Sequence, residues 1–327
     1  MKKYRVLAAL LCAAICFSMT ACFKKEKPAP DDGMSGVISG EGGLGPADKI
    51  EITPNTPESE PETESEPDAE ALSPYSPGQN ELPGKENMSG EFEKLAGLPC
   101  DQVPWGPGTN FDADGRPTAC TALQKQYGGY CADFVRTGEE FDNKVYLTFD
   151  EGYENGYTGA ILDVLKEKGV SAVFFITLPY AKSQPELVQR MIDEGHVVGN
   201  HTAGHPNMTG ISPEEGYDEV AELHDYVEEN FGYSMYLFRF PEGAFSEQNL
   251  ALLQKMGYLS VFWRFAYKDW DPDSQMENSK AFDKVTGSLH SGEIFLLHAV
   301  SKTNAEILGD VIDCVREKGY TFEVYGK

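Results

Sequence analysis

Basic side chains are scarce in this 327-residue chain: 27 Lys and Arg face 53 Asp and Glu, a formal charge of −26. Such a balance excludes a phosphate backbone as partner and excludes docking on an anionic bilayer through a polybasic patch. Long apolar runs are missing too. The only extended one, from Val6 to about Met19, falls short of the roughly 20 residues that cross a bilayer. Cysteine is sparse, seven in all, and no pair has zinc-finger spacing. Histidine is sparser still, at six, so any two close together carry weight.

The N-terminus reads as an export signal. Lys2, Lys3 and Arg5 precede the apolar run, which ends in Met19-Thr20-Ala21-Cys22, close to a bacterial lipoprotein box. Residues 1–22 are therefore expected to be a lipoprotein-type signal, with Cys22 the lipidated residue that tethers the chain outside the cytoplasm. Were Cys22 left unmodified, the protein would be secreted. Residues 23–94 change character: Pro, Ser, Thr, Gly and acid dominate, as in Glu58-Ser59-Glu60-Pro61-Glu62-Thr63-Glu64. That composition buries too little apolar surface to offset chain entropy and predicts a disordered, extended linker. Between residues 31 and 93, 16 acids stand against Lys49 and Lys85, and the part from Lys94 onward is acidic as well. An anionic glycan would have to be held by local groups. Outside the signal and Cys22, four cysteines remain: Cys100, Cys120, Cys131 and Cys314. Three lie close together in sequence, and an exported chain can oxidise them, so one local disulfide is expected.

Residues 95–143 are turn-rich, with Trp105-Gly106-Pro107-Gly108 and Asp114-Gly115-Arg116-Pro117, and predict an irregular extension wrapped on the main domain, residues 144–327. There, apolar strand-like runs (Val145–Phe149, Ala172–Ile176, Val197–Gly199, Tyr236–Phe240, Ser260–Trp263, Ile294–Leu297 and Thr321–Val324) alternate with helical patterns. The helical stretches are Gly156–Lys168, Pro185–Glu194, Pro213–Phe231, Glu247–Met256, Asn278–His290 and Ala305–Lys318. Strand then helix, repeated, predicts a parallel α/β fold whose count suits a barrel. In such folds chemistry collects at the C-terminal ends of the strands.

Polar residues do gather there. Thr148-Phe149-Asp150-Glu151-Gly152 ends the first run with two adjacent acids, either a polar turn or a carboxylate pair with divided labour. Gly199-Asn200-His201-Thr202-Ala203-Gly204-His205-Pro206 places two histidines on a loop after a strand, a spacing suited to capture of one divalent metal. Arg239-Phe240-Pro241-Glu242-Gly243, Lys268-Asp269-Trp270 and Leu296-Leu297-His298 follow in order. Each of these three is unremarkable alone: an ion-pair partner, a core tryptophan, a satisfied histidine.

Together the ordered set resembles the five signature motifs of the polysaccharide deacetylases, carbohydrate esterase family 4. Tyr153-Glu154-Asn155-Gly156-Tyr157-Thr158, Asp269-Trp270 and the stretch His298 to Glu306 are most similar to the delta-lactam-biosynthetic de-N-acetylase branch. The resemblance implies a distorted (β/α) barrel and hydrolysis of the acetamide of N-acetylmuramic acid in peptidoglycan, often in the spore cortex. It leaves N-acetylglucosamine, or another exported glycan, as the alternative substrate, and a silent wall-glycan binder as the alternative of another class. It implies Asp150 as base, held by Arg239; His298 as acid, oriented by Asp269; and His201 and His205 as ligands of a divalent metal, zinc being the ordinary choice. The third ligand would be Glu151, where most of the family has Asp. Pro241, Glu242, Gly243 and Trp270 would line the groove, with the Glu242 N–H facing the oxyanion. A monomer acting on a glycan strand is expected. His196, His224 and His290 lie outside every motif and read as structural.

Overall fold

The computed structural model describes residues 80–287 and 289–325. The signal, Cys22 and most of the acidic linker lie outside them. Eight short parallel strands form one sheet: β1 (Ala132–Asp133), β2 (Lys144–Glu151), β3 (Val173–Ile176), β4 (Val197–Asn200), β5 (Leu237–Phe238), β6 (Leu259–Val261), β7 (Glu293–His298) and β8 (Thr321–Glu323). Their order is β1-β6-β5-β4-β3-β2-β7, with β8 paired to the start of β2. Past β6, Phe265 pairs with Phe295 of β7, and Arg136 donates to the Gly292 carbonyl at 3.3 Å, which curls the sheet toward closure. The result is the distorted barrel expected from the motifs.

Helices α1 (Ser89–Leu95), α2 (Thr118–Tyr127), α3 (Thr158–Lys168), α4 (Leu178–Ser183), α5 (Pro185–Asp193), α6 (Pro213–Phe231), α7 (Glu247–Lys255), α8 (Asn278–Thr286) and α9 (Lys302–Glu317) cover it. The longest, α6, starts where its sequence says it should. Ser212 and Glu215 form a reciprocal capping box, Pro213 takes the first turn, and Gly232 closes the helix at φ 62°.

Strand alternation divides the core into two faces. Val145, Leu147 and Phe149 of β2 join Phe174 and Ile176 in the layer between sheet and helices. Tyr146 joins Val173, Phe175, Val197, Leu237, Val261 and Ile294 inside the barrel. Gly199 lies on the barrel side; a Cβ there would sit 2.5 Å from the Phe175 ring and 3.3 Å from the Leu237 carbonyl. Only glycine lets those strands approach so closely.

Three expectations need correction. The linker does not run to residue 94, because α1 belongs to the folded part and buries Phe92 and Leu95 against the core. Residues 95–143 are less irregular than their turns suggest, since they supply α2 and strand β1. No disulfide joins the four described cysteines. Cys120 is buried in α2 with its Sγ toward the Trp263 carbonyl, and burial pushes its thiol up to about 12. Cys314 lies far off on α9.

Candidate active site

β2 brings Thr148 and Asp150 to the inner face, two residues beyond Tyr146 and four. Arg239, fully buried just past β5, reaches across to both. One guanidinium nitrogen donates to Thr148 Oγ1 at 2.7 Å and to Asp150 Oδ1 at 2.8 Å, while Nε donates to the Val261 carbonyl at 3.0 Å. The other terminal nitrogen donates to the Phe262 carbonyl at 3.2 Å, and the plane lies 4.2 Å from the Phe175 ring centre. With its donors so occupied, Arg239 presents a fixed charge. Burial alone would raise the Asp150 pKa, but Arg239, with His201 and His298, outweighs it and holds the carboxylate below its ordinary range.

Asp150 is in register with His298, the last residue of the neighbouring β7. Asp269 grips His298 twice: its Oδ1 takes Nδ1–H at 2.8 Å and its Oδ2 takes the backbone N–H at 2.9 Å. Asn304, at the start of α9, donates to Asp269 Oδ2 at 2.7 Å and to the His298 carbonyl at 3.1 Å. Tyr267 donates in turn to Asn304 Oδ1. Burial works against a charged imidazole, yet Asp269 outweighs it and raises the His298 pKa. The shift favours the imidazolium, in which Nε2 as well as Nδ1 carries a proton. Trp270 stands beside it, ring centres 5.9 Å apart. Asn304, within the stretch His298 to Glu306, and Tyr267, which belongs to no motif, hold Asp269 and His298 in place.

Opposite, the loop after β4 carries His201, buried, and His205, exposed, with ring centres 4.8 Å apart. His201 Nδ1 donates to the Arg239 carbonyl at 2.8 Å, which leaves the Nε2 lone pair free on the side where Asp150 Oδ2 lies 3.7 Å away. Burial depresses the His201 pKa to about 4, so the imidazole is neutral and able to ligate. Thr202 and His205 sit at φ 72° and 56°, conformations that cost a residue with a Cβ about 1–3 kcal/mol each.

Two imidazoles so placed suit a divalent ion, which His201 and His205 would hold. Glu151 does not join them. It follows Phe149 on the outer face, pairs with Ile176, and is fully buried, with neither carboxyl oxygen hydrogen-bonded. Burial, then Glu154 and Asp150, raises its pKa well above the ordinary value, which favours the neutral acid. Among the described residues no group of three His, Cys, Asp or Glu is placed to hold a metal. The expected third ligand is therefore corrected: β2 continues through both acids, and alternation sends Glu151 away from the histidines.

The third motif makes a helical turn, Pro241–Gly243. Its backbone bonds are given by Gly243, to Phe240, and by Ala244, to Pro241, both at 3.0 Å. The Glu242 N–H lies ahead of both, at the open end of the turn. Glu242 itself is exposed at φ 58°. Gly243, at φ 65°, is clasped from below: a Cβ there would meet Trp263 at 2.6 Å, and Trp105 Nε1 donates to its carbonyl at 2.6 Å. Trp105 comes from the N-terminal extension, which sequence had not linked to the site. His196, His224 and His290 are buried away from this rim, in keeping with structural roles.

A carboxylate fixed by an arginine and an imidazole fixed by an aspartate, at the C-terminal rim of a parallel barrel, form an arrangement suited to general acid–base chemistry. The family whose sequence pattern matches residues 137–261 is the polysaccharide deacetylases. The chain is 46% identical over 202 residues to a 30.6 kDa protein from the fumA 3′ region of Geobacillus stearothermophilus, covering 62% of this chain and 74% of that one. It is 37% identical over 237 residues to the peptidoglycan-N-acetylmuramic acid deacetylase PdaA of Bacillus subtilis, covering 72% and 89% respectively. The solved structure of B. subtilis PdaA, a family 4 carbohydrate esterase, superposes with a TM-score of 0.65 at 37% identity, over 69% of this chain and 96% of that one. The chain belongs to the polysaccharide deacetylase family, carbohydrate esterase family 4, and is an amidohydrolase.

Proposed function

We propose that the protein removes the acetyl group from N-acetylmuramic acid in peptidoglycan, freeing an amine that can close on the lactyl carboxylate as a lactam. The observation that carries the chemistry is the pairing of Asp150 with His298 across adjacent strands, each locked by its own partner. The choice of sugar rests on the likeness to PdaA along most of that protein's length.

Asp150, ionised beside Arg239, accepts a proton from the attacking water. The Glu242 N–H supports the oxyanion that forms on the acetamide. His298 then gives its Nε2 proton to the departing amine, and Asp269 steadies the imidazolium before that transfer. A divalent ion held by His201 and His205, zinc by the chemistry of two imidazoles, would supply Lewis acidity to the acetamide carbonyl. Trp270 offers an apolar wall to the acetyl methyl or the sugar ring. All these groups come from one chain, in keeping with a monomer working along a glycan strand. The lipoprotein box at Cys22 supports an extracytoplasmic, membrane-tethered location, with the acidic linker as tether.

The test is mass spectrometry of purified peptidoglycan digested with the metal-supplied full chain. Loss of one acetyl from muramic acid is the expected result. Loss confined to glucosamine overturns the choice of sugar, and no acetate from any wall glycan overturns the function.

A further inference from the structure

The histidine loop holds two non-glycine residues in left-handed conformations, Thr202 and His205, and such a loop relaxes unless its surroundings hold it. Its first support is Asn200, the last residue of β4, which is fully buried. Asn200 Oδ1 accepts the Thr202 N–H at 2.9 Å, and Thr202 Oγ1 then accepts the His205 N–H at 2.8 Å. The Asn200 side-chain amide points the other way. It donates to the Val220 carbonyl of α6 at 2.9 Å and to the Tyr258 hydroxyl at 3.3 Å. The Tyr258 hydroxyl in turn meets His224 Nδ1, also on α6, at 2.6 Å.

The donors and acceptors run in one direction. A Tyr258 oxygen that accepts from Asn200 has its own proton left for His224 Nδ1, which suits an imidazole whose pKa burial lowers. Helix α6 adds two more holds: the Glu219 carbonyl accepts from Ala203 at 2.9 Å and the Glu219 carboxylate from Gly204 at 2.6 Å. Each loop residue from Thr202 to His205 thus has its N–H fixed, through Asn200, through Thr202 itself or by α6 directly.

We infer that Asn200 is a positioning residue, through which α6 and the buried Tyr258–His224 pair set the spacing of His201 and His205 for a bound metal. This rests on the reading that those two histidines bind a divalent ion. Asn200 touches neither the ion nor the substrate. It acts by holding Thr202 in a conformation that places the second histidine, so its removal loosens a metal site while the barrel remains folded.

The experiment titrates the full chain with Co2+, following the visible absorption of the bound ion and its dissociation constant, with thermal unfolding monitored in parallel. Asn200→Ala is expected to weaken Co2+ binding about 10–100-fold, the range for loss of a group that orients a metal ligand, and to alter the spectrum. Tyr258→Phe removes one hydroxyl, keeps the fold, and is expected to weaken binding several-fold in the same direction. Because Tyr258 acts through Asn200, the double variant should bind no more weakly than Asn200→Ala alone. Asn200→Asp keeps the acceptor for Thr202 but loses both donors, and should fall between wild type and alanine. Folded Tyr258→Phe and Asn200 variants that bind Co2+ as wild type does, with an unchanged spectrum, overturn the inference. Strictly additive losses in the double variant overturn the relay. A wild-type chain that takes up no Co2+ removes the histidine pair as a metal site, and this inference with it, a result distinct from intact binding in every variant.

Discussion

Asp150 and Glu151 are neighbours in the chain, both carboxylic acids and both buried, yet they differ in almost every physical respect. Asp150 faces the barrel, meets Arg239 at 2.8 Å and is held ionised. Glu151 faces the helix layer, has no hydrogen-bond partner for its carboxyl and has its pKa raised by burial. One residue of strand geometry separates the proposed base from an acid outside the site. Two acids at a strand end are thus no pair until the strand's last residue is known, because each added strand residue reverses the face.

Breaking the Asp150 side should cost most. Asp150→Asn is expected to lower kcat on wall glycan by about 10²–10⁴-fold, the usual contribution of a positioned base; steady-state acetate release measures it. Arg239→Ala leaves Asp150 buried without its cation and should cost about 3–5 kcal/mol of stability, read by urea unfolding. That loss should shrink in acid. A carboxylate whose pKa is depressed by folding stabilises above its ordinary value, and the stabilisation is lost as pH falls through the depressed pKa.

The acid side gives a smaller effect with a sharper signature. Asp269→Asn removes the group that raises the His298 pKa. The alkaline limb of the kcat profile should therefore move to lower pH, with a rate loss of about tenfold or more near neutrality. An unmoved limb would mean that His298 does not carry the proton.

Glu151→Gln should do least. Co2+ affinity is expected to stay within about twofold of wild type, whereas a true ligand would lose tens-fold. Its effect lies in stability against pH. An acid whose folded pKa is raised stabilises below the ordinary carboxylate value, and that stabilisation is lost as pH rises toward the raised one. Glutamine abolishes the slope, so the variant should gain on wild type from mildly acidic pH upward, read as the midpoint of thermal unfolding.

Much of the site was legible because barrel chemistry sits where apolar runs end. His201 and Arg239 follow their strands by one residue, His298 ends its own and Asp150 stands one residue before the end of β2, and apolar-then-polar is a pattern a sequence displays. The helices at 185, 213 and 278 were legible from their starts, where Pro213 and its capping box leave little choice. The supports were not. Trp105 under Gly243, Asn304 behind Asp269, and Tyr258 behind Asn200 lie 138, 35 and 58 residues from the groups they hold. Nothing local in the sequence ties such partners together.

The amino-acid sequence alone determined the alternation of strand and helix, the order of the five motifs and the groups able to donate, accept and ligate, since these depend on residue type and short spacing. Tertiary structure decided which of two adjacent acids enters the site. The strand was expected to stop at Phe149; pairing with β3 carries it on to Glu151. That pairing is a contact between segments distant in the chain, and the two-residue period of an extended backbone does the rest.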